Sequence, residues 1–99
     1  MNKAERIFKA TQAESRRHVE DWGYDMNKDG GWGGGFIRED TDIIYSRTYN
    51  AIVKLIESRK RAISQLLDMG IYTEERHTFE TKVITMTERT LANQCVFKG

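Results

Sequence analysis

The side chains best suited to chemistry are two histidines and a single cysteine. At helical spacing His18 neighbours Glu14, and His77 neighbours Glu74 and Glu80. A histidine–carboxylate pair can move a proton or begin a metal site, but a zinc site takes at least three protein ligands. No third ligand is placed by sequence beside either pair. Cys95 has no base beside it to draw off its proton, so its thiol is not marked as a nucleophile. With no nucleophile–base arrangement and no paired carboxylates, the chain is expected not to be an enzyme. It is also expected to carry no metal and no cofactor.

A second chemical feature lies between residues 23 and 39. Asp25, Asn27, Asp29 and Gly30 match the opening of a calcium loop, where ligands alternate and the sixth position is glycine. The twelfth position, which needs a bidentate carboxylate, is Phe36, so the segment reads as a polar turn. Five of the eight glycines then follow between positions 30 and 35, with Trp32 and Phe36 as the anchors. Such a stretch can wrap backbone amides around a phosphate ahead of a helix. Neither a Walker signature nor a dinucleotide fingerprint is present, and Glu39, Asp40 and Asp42 would repel an anion. Trp32, Gly33, Gly34 and Phe36 are therefore read as a deformable loop for a partner, or as a lid over a small ligand such as a nucleotide.

The third feature is basic. Arg47, Lys54 and Arg61 recur every seven residues and share one helical stripe, a track for phosphates. Arg59 and, from the first helix, Arg16 and Arg17 could enlarge it. Intrahelical pairing on a solvated face is the plainer reading of the same residues.

These features must be positioned by a small number of elements. Ala4, Ile7, Phe8, Thr11, Ser15, Val19 and Trp22 fall at three- and four-residue steps, which predicts a helix over 3–22 stopped at Gly23. Its stripe is small and polar between Phe8 and Val19, a face that lets another helix come close. The loop 23–39 follows. A long second helix is expected over about 41–69, capped at Thr41 and stopped at Gly70. A third, over about 73–92, is expected to start at Thr73, with Glu74 and Glu75 in its first turn. The β-branched run at 82–87 could instead favour a strand, and residues 93–99 read as a tail whose docking would depend on Val96 and Phe97. The fold class is all-α, one domain with a long central helix packed with two others.

At roughly 40 Å, the expected central helix looks long for a chain whose radius of gyration should be about 13 Å. Tyr45, Tyr49, Ile52, Ile56, Ile63 and Leu66 form its apolar stripe, interrupted by Arg59. A second copy paired two-fold along this seam is the expected cover, with Arg59 fixing its register or extending its stem to water.

The whole composition is compatible with that picture. The 99 residues carry a formal net charge of +1 and no proline, so neither general attraction to polyanions nor proline-punctuated loops is predicted. One cysteine excludes an intrachain disulfide and points to a reducing, cytoplasmic setting. The charged start Met1–Arg6 does not read as a secretory signal, and no apolar run approaches the length of a membrane span. The leading functional expectation is a non-enzymatic protein–protein interaction module that forms a homodimer and binds an unknown protein. A nucleic-acid-binding regulator and a small-ligand binder are the alternatives.

Overall fold

The computed structural model describes residues 2–23, 44–93 and 95–96. In chain order the elements are α1 (Lys3–Trp22), β1 (Ile44–Tyr45), α2 (Ser46–Asp68), α3 (Glu74–Asn93) and β2 (Cys95–Val96). The fold is all-α: three helices pack on one another, with α3 against both α1 and α2.

The start of α1 is fixed by Asn2. Its Oδ1 accepts from the Glu5 N–H at 2.8 Å, satisfying an otherwise unpaired helix-end donor, and its Nδ2 donates to the Glu5 side chain at 3.1 Å. Gly23 ends the helix at φ +57°, donating its N–H to the Val19 carbonyl. Thr73 opens α3 as expected, its Oγ1 accepting from the Arg76 N–H at 3.1 Å. The β-branched run in α3 is helical. The hydroxyls of Thr81 and Thr87 donate to the carbonyls of His77 and Val83 one turn back, satisfying themselves within the helix.

The second helix departs from expectation at its start. It begins at Ser46 rather than near Thr41, because Ile44 and Tyr45 are extended and pair in parallel with Cys95 and Val96. Tyr45 caps α2 without a side-chain bond. The proposed cap at Thr41 with its acidic neighbours lies outside the described residues. From Ser46 to Asp68 the helix is uninterrupted through Arg59.

The contacts set the helix directions. Gly23 at the end of α1 lines a groove with Glu74 and Glu75 at the start of α3, so these two helices are antiparallel. The α2–α3 turn and the Arg59–Glu80 contact make α2 and α3 antiparallel as well. It follows that α1 and α2 run parallel, an arrangement no short turn can connect.

The core is modest. Ala4, Ile7, Val19, Ile44, Ile52, Ile56, Ile63, Val83, Ile84, Met86 and Leu91 are buried, with Phe8, Tyr49, Tyr72 and Phe79 packed at its edge. The small stripe of α1 behaves as its residues suggest. Thr11 and Ser15 are fully buried, and Ser15 Oγ and Thr87 Oγ1 share a hydrogen bond across the α1–α3 contact at 3.1 Å. A leucine at either α1 position would hold the two backbones apart.

Contrary to the sequence expectation, α2 is not too long for its own domain. At 1.5 Å per residue, a helix of 23 residues spans about 35 Å, within a molecule 41 Å long whose radius of gyration is 13.7 Å. Ile52, Ile56 and Ile63 are enclosed by the chain's own helices. The three isoleucines at the centre of the anticipated dimer seam are thus intramolecular core.

Candidate functional site

The most elaborate polar arrangement joins all three helices. Glu80 stands on the inner line of α3 near Phe79 and Val83, and only 1% of its side chain is exposed. Arg16 of α1 grips it through both terminal nitrogens, Nη1 to Oε2 and Nη2 to Oε1, each at 2.7 Å. Arg59 of α2 donates Nη2 to the same Oε1 at 2.8 Å. Arg76, one turn before Glu80, brings Nη2 to 3.8 Å from Oε2. Burial by itself would push the Glu80 carboxyl up; the bonds from Arg16 and Arg59 and the charge of Arg76 outweigh it and hold the group below its ordinary value. The bond to Glu80 chiefly raises Arg16 in turn, against the opposing effect of burial.

Arg59 therefore neither fixes a dimer register nor joins the basic stripe: it closes an intramolecular ion cluster. Arg16 is in the same cluster, and Arg17 pairs with Glu14 on its own helix. Neither enlarges the stripe. Arg47, Lys54 and Arg61 do share one exposed side of α2, opposite Ile52, Ile56 and Ile63. Arg61 donates to Ser58 Oγ at 3.4 Å, whereas Arg47 and Lys54 form no ion pair with a described residue.

The remaining seam positions are scattered. Tyr45 precedes α2 and is 50% exposed; Tyr49 and Leu66 are half-buried at the edge of the core. The loop positions Trp32, Gly33, Gly34 and Phe36, with the calcium-like segment, lie outside the described residues. Among the described residues no three His, Cys, Asp or Glu side chains are grouped to hold a metal, and no helix is long and apolar enough to cross a membrane.

One surface was not anticipated. The turn from α2 to α3 exposes Met69 by 70% and Ile71 by 61%. Three residues after Leu66, Met69 would continue the inward stripe of a longer helix, but α2 ends at Asp68 and the chain turns before that position can face the core. Gly70, at φ +74°, makes the turn. Its N–H donates to the Leu67 carbonyl at 3.0 Å, while the N–H groups of Ile71 and Tyr72 both donate to Leu66, at 2.9 and 3.0 Å. This is a Schellman closure, which fixes the backbone that carries the two side chains. A Met-Gly-Ile tripeptide at a helix stop was the available sign, since positions flanking a left-handed glycine leave the helical stripe.

An open groove of about 480 Å³ lies at the same end of the bundle, floored by Val19 and Phe79 and bordered by Glu74, Glu75 and Lys82. No family model, curated protein or solved structure significantly matches the chain.

Proposed function

We propose that this chain is a non-enzymatic interaction module that associates with a second copy of itself through the α2–α3 turn. The observation that carries the reading is the exposure of Met69 and Ile71 on a backbone held by the Gly70 closure. Apolar side chains on a rigid turn gain by burial without the cost of ordering a loop. A formal net charge of only +1 offers little repulsion to a like copy. Two side chains do not make an interface, which requires roughly 1,000 Å² of buried surface or more. Leu66, Leu67 and Tyr72, half-buried beside them, extend the contact in a two-fold pairing of turns. This keeps the self-association expected from the sequence but moves it from the middle of α2 to its C-terminal end. Native mass spectrometry at low micromolar concentration tests it: a dimer is the expected species, and a monomer with no dimer on concentration contradicts it.

The exposed stripe of Arg47, Lys54 and Arg61 favours a second reading, a nucleic-acid contact. Binding of a short DNA or RNA duplex would then weaken steeply with salt and be reduced by Arg61→Glu. Salt-independent binding, or none at low ionic strength, excludes it.

A further inference from the structure

The ion cluster around Glu80 holds more cation than its carboxylate balances. Among the described residues three guanidinium groups, from Arg16, Arg59 and Arg76, face one carboxylate in contact, and Glu20 acts on Arg16 only at longer range. Positive charge is left in excess at a partly covered site, where water screens it less than at the open surface. Hydrogen-bonding capacity is in excess too. Among the described residues Arg59 Nε is buried with no acceptor, and the Arg76 guanidinium, 3.8 Å from Glu80, donates no side-chain hydrogen bond. An unpaired buried donor is uncommon and costly in a folded protein.

The arginines are also held in place. Phe79 lies beneath two of them, with Arg16 at 5.7 Å and Arg76 at 5.6 Å from its ring centre. Arg76 stands 5.7 Å from the Tyr72 ring as well. Guanidinium groups stacked on rings and tied to a buried carboxylate have already lost the freedom that ligand binding would remove.

We propose that Arg16, Arg59 and Arg76 form an oxyanion-binding site whose ligand is a phosphate group, free or as a monoester. Phosphate suits it better than a second carboxylate. Its charge at neutral pH exceeds one, and its several oxygens engage more than one guanidinium fork at once. Glu80 orients the arginines, and the half-exposed Arg76 makes the entrance. The site is separate from Arg47, Lys54 and Arg61, which lie in a row on the opposite side of α2 and do not converge.

The test is an NMR titration of the full chain at low ionic strength and constant pH, following backbone and arginine Nε–H signals. Inorganic phosphate, phenyl phosphate and acetate are added separately. Saturable shifts centred on Arg16, Arg59, Arg76 and Phe79 are expected, with phosphate binding roughly tenfold more tightly than acetate. Arg76→Ala weakens phosphate binding by about tenfold, Arg76→Lys by less, and Arg47→Ala leaves it unchanged. Unchanged chemical shifts elsewhere show that the Arg76 variants remain folded. Tighter binding of phenyl phosphate identifies a monoester beside Tyr72 and Phe79; equal binding identifies free phosphate. Absence of saturation, diffuse shifts over all basic residues, equal loss in the Arg76 and Arg47 variants, or acetate binding as tightly as phosphate overturns the proposal.

Discussion

Glu80 illustrates how far a single side chain can be changed by its neighbours. A carboxylate so fully covered would ordinarily take up a proton, yet three direct bonds from two arginines keep it charged. Removing the charge with Glu80→Gln leaves Arg16 and Arg59 without a counterion and should destabilise the fold by about 2–3 kcal/mol at pH 7 in urea denaturation. Because the folded-state value of Glu80 lies below its ordinary value of 4.5, its contribution is present above that pH. It is lost as pH falls below 4.5 through the depressed value. The stability gap between the natural chain and Glu80→Gln should therefore narrow towards pH 3; a gap constant from pH 7 to pH 3 would remove the assigned role. The pairing was partly legible. Arg59 interrupts the α2 stripe eleven residues before Gly70, and Glu80 lies ten residues after it. In an antiparallel hairpin, positions equidistant from the turn meet. Reading Arg59 alone suggested a partner chain; reading it with Glu80 gives the internal pair. Arg16 could not be found this way, because its approach depends on how α1 packs.

At the scale of elements, local signals predicted most of what is seen. The Ala4–Val19 stripe and Gly23 located α1, and Thr73 with Glu74 and Glu75 located the start of α3. Their physics is confined to a few neighbouring residues, so sequence suffices. The start of α2 was misplaced because Ile44 and Tyr45 answer to a distant segment, Cys95–Val96, through backbone pairing that no local pattern records. The end of α2 rests on backbone conformation. Nothing lies within 4 Å of where a Gly70 side chain would begin, so Gly70→Ala tests the left-handed geometry without a clash. It should cost about 1 kcal/mol, read as a lower denaturation midpoint with an unchanged slope. No change would mean that the turn does not depend on the left-handed residue.

At the scale of the molecule, helix length was a misleading guide. A helix over 41–69 looked too long for the expected radius of gyration, but α2 is shorter, beginning only at Ser46. Here α1 and α3 have 20 residues each against the 23 of α2, so the three are nearly matched and the central stripe is enclosed. What remains open to a like molecule is the end of the bundle, where Met69 and Ile71 project. That surface was hidden from periodicity because it lies in a turn, outside any repeating stripe. Sedimentation equilibrium on the natural chain and on Met69→Asp with Ile71→Asp tests the self-association claim most directly. Both positions are exposed, so the double variant should stay folded by circular dichroism. The account predicts a dimer for the natural chain at tens of micromolar and a monomer for the variant at the same concentration; a natural chain that remains monomeric, or a variant that dimerises equally well, would contradict it.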